Sequence, residues 1–326
     1  TLSSSSAASD VYKRQYQNGS FLKEGVLKVK WFHKSRKTNS ELLFDIVTYG
    51  LAIFLILLIV YPLWFVVIAS FSNPSDVANG KVWFIPREWK LDGYLRLIQQ
   101  PLFLRSYLNT ILYTVVGTLV ALVVNIPAGY ALSRKELVGR KWMSILYIIP
   151  MFVSGGLIPT YLTVKNVGLI DTFWVMVIPF AVSSYNIIVA RTFFNNSIPD
   201  GMWEAAQIDG CGTIRYFIKI VVPLSKAIIA VIGLWTAVGI WNSWFNALIY
   251  LTNENLQPLQ LILRRLLISN QMLQSQATGE VASDLRIKAD MMKYAAIVIS
   301  TAPIMLLYPF VQKYFNQGVM IGALKE

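Results

Sequence analysis

Residues 47–70, VTYGLAIFLILLIVYPLWFVVIAS, contain no Asp, Glu, Lys or Arg. About 20 helical residues cross a hydrocarbon core of roughly 30 Å, so this stretch alone is long enough to span a bilayer. Working outward, the same pattern recurs at Ser106–Ser133, Trp142–Val164, Thr172–Ala190, Ala227–Asn253 and Tyr294–Gln312. Backbone N–H and C=O groups find no water in lipid and must bond within their own segment, so these stretches read as helices. Apolar residues make up 55% of the chain and charged residues 14%, against about a quarter charged in soluble domains. The expected fold is an all-α polytopic membrane protein with six transmembrane helices.

Charge sets the orientation. The net charge is +12, but it sits between the apolar stretches and not on a nucleic-acid-binding face. Lys13, Arg14, Lys23, Lys28, Lys30, Lys34, Arg36 and Lys37 precede the first span, and Arg134, Lys135, Arg140 and Lys141 crowd the loop after the second. By the positive-inside rule both segments face the cytoplasm. Six spans then place both termini and the loop around 195–220 on that side. A single Cys211 and a single His33 exclude a disulfide framework and point away from a zinc site.

The expected divisions follow. Residues 1–15, TLSSSSAASDVYKRQ, resemble a translated library adapter and lie outside the fold. Residues 16–42 form a basic cytoplasmic tail. The first span covers 43–70, with a kink expected at Pro62. An external loop, 71–105, carries Trp83, Phe84, Trp89 and Tyr94, suited to an interfacial belt. A core of spans two to six covers 106–315, and 316–326 is a cytoplasmic C-terminal tail. Within the core the spans are read at 106–133, 141–163, 171–194, 221–251 and 290–315. Pro127, Pro150, Pro159 and Pro179 lie in them, with Ser154-Gly155-Gly156, and such residues permit close packing and broken helices. The external segment 252–289 is amphipathic around Arg264 and Arg265.

The connection between spans four and five reads NNSIPDGMWEAAQIDGCGTIRYFIKIVVPLSKA, residues 195–227. Ser197-x-x-Asp200 looks like a capping box, with Pro199 in the first turn, and Gly210 is a natural stop. These signals predict a helix over Ile198–Asp209, too short and too polar to cross a membrane. Ala205 and Ala206 permit close approach to another surface, and Glu204 offers a charge to a basic partner. The result is a rigid peg on the cytoplasmic side, joined directly to a span.

Glu204-Ala205-Ala206, Asp209-Gly210 and Ile220-x-Val222-Pro223 resemble the signature of ABC-importer permeases. Leu43–Val47, Ser70–Trp83, Trp241-Asn242-Ser243-Trp244-Phe245 and Gly318–Lys325 are similar to the maltose-type, carbohydrate-uptake branch that handles oligosaccharides. Cys211 stands where that family often has Ala. The resemblance implies a type I importer permease fold in a bacterial cell membrane, with segment 198–210 as a coupling helix. Glu204, Ala205, Ala206, Asp209, Gly210 and Pro223 would then carry coupling to an ATPase. The implied partners are a second homologous permease forming a heterodimer, two copies of a cytoplasmic ATP-binding subunit, an external solute-binding protein and a saccharide. ATP and Mg would reside on the ATPase subunits, with no cofactor on this chain. Lys325 and its neighbours would reach the ATPases.

No P-loop G-x-x-x-x-G-K-[ST] and no acid–base constellation is present, so the chain reads as a non-enzymatic part of a machine. The alternative is a secondary transporter or channel not coupled to ATP. Ion-coupled carriers rely on ionisable groups inside the membrane, and the span centres here contain none. A sugar path needs hydroxyl-matching amides and aromatic faces. Asn109, Asn125, Tyr185, Asn186, Trp241, Asn242, Trp244 and Asn246 form the candidate set.

Overall fold

A computed structural model describes residues 38–276, 292–307, 309 and 312. The adapter-like leader, most of the basic tail with His33, residues 277–291 and the C-terminal tail 316–326 lie outside the described residues. Among the described residues every regular element is helical. The chain divides into two units, residues 1–61 and 62–326.

Helix α1, Asn39–Ser70, passes through Pro62 without a break, so the expected kink does not interrupt it. In unit two the loop after it holds two short helices, α2 (Pro74–Ala78) and α3 (Asp92–Ile98). Trp83 and Trp89 are exposed there, while Phe71 stacks on Tyr94.

Helix α4, Pro101–Ser133, is the central post. Its small buried residues, Gly117, Ala121 and Gly129, let other helices approach closely. Helices α5 (Arg140–Phe152) and α6 (Leu157–Asn166) follow. They were expected as one span over 141–163 and instead meet at 118°. The break lies at Val153–Gly156, where Gly156 adopts φ +84°, a conformation that side chains with a Cβ rarely take. The fourth expected span, 171–194, is also corrected. Its first part is a 3-10 turn at Phe173–Met176 followed by irregular backbone, and only α7, Ser184–Ser197, is a regular helix.

Irregular backbone at membrane depth is tolerated where neighbours satisfy its polar groups. Asn125 of α4 does so. It is fully buried, and its amide donates to Ala121 O (2.6 Å) and Ala181 O (2.7 Å) while its Oδ1 accepts from Ser183 N–H (2.9 Å). Asn125→Leu removes all three bonds at once. Each buried group left unpaired costs roughly 1–3 kcal/mol, so the purified chain should melt several degrees lower. An unchanged melting temperature would show that this amide does not hold the break.

Helix α8 is Asp200–Ile208, a residue or two shorter at each end than expected. Helix α9, Thr213–Leu224, contains a π-turn at Phe217–Val221 and meets α10, Lys226–Trp241, at 80°. The fifth expected span, 221–251, therefore begins earlier, bends at Ser225 and breaks again at Asn242–Ser243 before α11, Trp244–Tyr250. Ser225 Oγ donates to Val221 O (2.7 Å) at the bend. Helices α12 (Leu259–Gln276) and α13 (Met292–Leu307) complete the described elements.

By length and composition, α1 and α4 can each cross a membrane, and the α5–α6 and α9–α10 pairs qualify as bent spans. Helix α4 packs on α7 and α10 and also meets α12. One face of its first turns also holds the segment 255–259, a 3-10 turn that leads into α12. Arg105 Nε and Asn109 Nδ2 donate to Asn255 O, Tyr113 Oη donates to Leu256 O, and Thr110 Oγ1 accepts from Leu259 N–H.

Candidate functional site

Two places concentrate the predicted site residues. The first is built around α8. The expected capping box is not formed: Ser197 ends α7 with its Oγ buried and without a partner among the described residues, and Pro199 occupies the N-cap without a side-chain bond. Asp200 takes over the start. It sits in the first turn, favourable toward the helix dipole, and pairs with Lys135 Nζ at 2.7 Å. That hydrogen bond and the Lys135 charge hold the Asp200 carboxyl below its usual range. The pair also places the 134–140 loop and α8 at the same end of the bundle.

The other end of α8 closes as a Schellman turn. Gly210 N–H donates to Gln207 O (3.0 Å) and Cys211 N–H to Ala206 O (2.8 Å). Gly210 has φ +69°, which the turn requires. Cys211 contributes its backbone here, and its own side chain is half-buried.

The signature residues divide between two faces. Ala206 is buried, in a core with Tyr130, Ala190, Phe194, Tyr216 and Ile232. Trp203 packs edge-on to Tyr216 (5.0 Å), and the Arg134 guanidinium lies 5.5 Å from its ring. Glu204, Ala205, Ile208 and Asp209 face outward, Ile208 with 87% of its surface exposed. Only one of the two alanines therefore lies on the outward face, and the other lets α8 seat against its own bundle. Pro223 is exposed on α9, beyond the π-turn and just before the bend.

The second place is a cavity of about 400 Å³ between α7, α10 and α11, within the size range of small-molecule sites. Tyr185 and Trp235 form one wall, ring centroids 5.7 Å apart. Asn186 Nδ2 donates to Thr236 Oγ1 (3.4 Å), and Ser183, Ser243 and Asn246 add further polar groups. The break at Asn242–Ser243 turns Ser243 and Asn246 into the cavity.

Three of the eight path candidates, Tyr185, Asn186 and Asn246, line this cavity. The structure places the other five elsewhere. Asn109 holds the carbonyls of Asn255 and Gln257, and Asn125 braces the irregular backbone before α7. Trp241 is buried and donates to Ser300 O at 2.9 Å. Asn242 donates back to Val238 O, and Trp244 stacks under the Arg264 guanidinium at 3.6 Å. Trp235, Thr236, Ser183 and Ser243 also line the cavity and stand outside the candidate set. The available signal was Trp235-Thr236, a polar-capable pair in the middle of an otherwise apolar helix, one turn before Gly239.

A helical membrane bundle with a polar-lined cavity and a protruding short helix is the frame of a transport component. Residues 117–321 match the family model described as binding-protein-dependent transport system inner membrane component, and the chain belongs to that family. It is 37% identical over 283 residues to the polygalacturonan/rhamnogalacturonan transport system permease protein YtcP of Bacillus subtilis (strain 168), covering 87% of this chain and 98% of the relative. Protein LplC of the same organism is 38% identical over 266 residues, covering 82% and 89%. A crystal structure of a bacterial ABC transporter involved in the import of the acidic polysaccharide alginate includes a chain with TM-score 0.78 and 31% identity. That match covers 86% of this chain and 99% of the other. The family is a transport component of the bacterial membrane and not an enzyme.

Proposed function

We propose that this chain is the transmembrane permease subunit of an ATP-driven, binding-protein-dependent importer for an oligosaccharide. Its relatives' names support the substrate class: one is a polygalacturonan/rhamnogalacturonan permease, and another belongs to an alginate importer. The observation that carries the coupling is the seating of α8. One face is locked into the core through Ala206 and Trp203, and the opposite face presents Glu204 and Ala205.

In this reading the chain crosses the membrane six times: α1, α4, the two bent pairs, the segment 171–194 that ends in α7, and α13. Both termini and α8 are cytoplasmic. Helix α8 is the coupling helix, docked in a cleft of an ATP-hydrolysing subunit that holds ATP and Mg. Glu204 meets a basic group there, Ala205 allows close approach, and the Gly210 turn returns the chain to α9. Pro223 and the Ser225 bend lie on the way from α8 to α10, the helix that lines the cavity. A second permease completes the pathway, and an external binding protein delivers the sugar. Closure of the ATPases on ATP moves α8, and the cavity alternates its opening.

Tyr185 and Trp235 offer aromatic faces to sugar rings, while Asn186, Thr236 and Asn246 match hydroxyl groups. The experiment is uptake into proteoliposomes containing the full transporter. Trp235→Ala should cut oligosaccharide uptake about tenfold, the loss that about 1.4 kcal/mol of contact represents. Binding-protein-stimulated ATP hydrolysis should persist. Unchanged uptake would remove the cavity from the path. Movement of solute by this chain alone, without nucleotide, would overturn the whole reading in favour of a secondary carrier.

A further inference from the structure

At the same end of the bundle as α8 lies a second, smaller cavity, of about 350 Å³. The end of α4, the start of α5 and the α7–α8 turn enclose it. We propose that it is a binding site for a phosphate-bearing anion, with the headgroup of an anionic phospholipid as the source favoured by its position.

The charges in its wall do not balance. Arg134, Lys135 and Arg140 line it, with Asp200 as the acid. Asp200 is taken by Lys135, and Arg134 pairs with Glu136 at 3.0 Å. Arg140 uses its Nε on Leu132 O at 2.9 Å and forms no direct ion pair among the described residues, feeling Asp200 only at longer range. Its remaining guanidinium nitrogens are donors without an assigned acceptor. Arg191 of α7 reinforces this. It is not itself part of the cavity's lining, but its Nε is buried without a hydrogen-bond partner among the described residues and the Arg140 charge reaches it. Like charges held close together each raise the cost of keeping the other ionised, a cost that a bound anion would offset. Arginine forks match phosphate oxygens in geometry as well as charge.

Position favours a lipid source. Helix α4 ends at Ser133 and the apolar α5 begins at Arg140, so the cavity sits where apolar helix surface gives way to a polar loop. Trp142, 73% exposed in the first turn of α5, suits an interfacial anchor at that boundary. Basic pockets between membrane helices are suited to anionic headgroups, each cation contributing about a fivefold gain in affinity.

The test is native mass spectrometry of the full chain in mixed micelles of phosphatidylglycerol and phosphatidylcholine. The wild type should retain phosphatidylglycerol selectively. Retention should fall about fivefold in Arg140→Gln and again in Arg191→Gln. It should be unchanged in Arg96→Gln, an exposed arginine on α3. Arg140→Lys, which loses the Leu132 bond but keeps the charge, should retain more than Arg140→Gln. If a glutamine variant does not fold, a salt titration of the wild type stands in, since retention must fall as ionic strength rises. Inorganic phosphate that displaces the lipid, with stabilisation lost in Arg140→Gln, supports the site with free phosphate as its occupant. Equal retention of both lipids, retention indifferent to Arg140 and Arg191, or indifference to salt overturns the proposal.

Discussion

Replacing Glu204 by lysine is expected to abolish ATP-driven uptake while the chain still folds and assembles. Glu204 is exposed on the outward face of α8, with no hydrogen bond or ion pair among the described residues. A basic group facing it on an ATPase would meet a like charge. Such juxtaposition is severe at a docked interface, and a loss of coupling on the order of a hundredfold is expected. The measurement is uptake and binding-protein-stimulated ATP hydrolysis in proteoliposomes, with membrane abundance as the folding control. The two neighbouring alanines sharpen it. Ala205→Trp adds bulk to the outward face and should uncouple an intact protein. Ala206→Trp adds the same bulk to a core position with 6% exposure and should prevent folding. Full uptake by Glu204→Lys and Ala205→Trp would remove α8 as the point where the motor grips.

The crossing of α4 and α7 at Gly129 is expected to be the least tolerant place in the bundle. A Cβ there would lie 2.5 Å from Ala190 Cβ, 3.0 Å from Ile187 O and 3.1 Å from Arg191 N. None of these atoms belongs to a side chain that can rotate away, so the helices must separate. Overpacking by one methyl costs about 1–3 kcal/mol in ordinary cores, and Gly129→Ala should reach or exceed the top of that range. Gly117 and Gly233 serve as graded comparisons. At Gly117 the added atom meets Ile240 Cδ1 at 2.6 Å, the far end of a flexible side chain. At Gly233 it meets Leu122 Cδ1 at 3.5 Å, an ordinary contact. Gly233→Ala should be neutral or slightly stabilising, since alanine gains about 0.5–1 kcal/mol over glycine in a helix. Melting temperatures of the three purified variants should fall in the order Gly233→Ala, Gly117→Ala, Gly129→Ala. A Gly129→Ala protein that melts with the wild type would mean that the helices do not cross there.

The peg was legible because its signals are local. Pro199, the acidic first turn at Asp200 and Gly210 bracket nine residues, and the helix found, Asp200–Ile208, lies inside the expected bounds. The expected capping box does not form because α7 runs on through Ser197 and α8 starts only at Asp200, with Pro199 at its N-cap, two residues beyond the expected cap. The faces of the peg were out of reach, since which alanine turns inward depends on Tyr216 and Phe194 closing over it. The substrate-path candidates were chosen for residue type alone. Asn125 and Trp241 have the right chemistry for sugar, but irregular backbone at Ala181–Ser183 and the Ser300 carbonyl claim them first.

Sequence alone determined that this chain is helical and lives in lipid. Charge-free runs of 20 residues leave the backbone no other partner than itself, and that demand acts on each segment separately. It also determined the short polar helix, whose start and stop are written within a dozen residues. Tertiary structure decided where the long apolar runs break. The apolar run at 142–164 turns through 118° and the helices at 213–241 through 80°; proline and glycine permit such breaks, but local sequence does not set their place or angle. Breaking a helix strands polar backbone; Ser225 answers locally at the 80° bend, while the irregular stretch before α7 is held by a distant side chain, Asn125. That contact spans more than 50 residues, so no reading of one segment by itself could supply it.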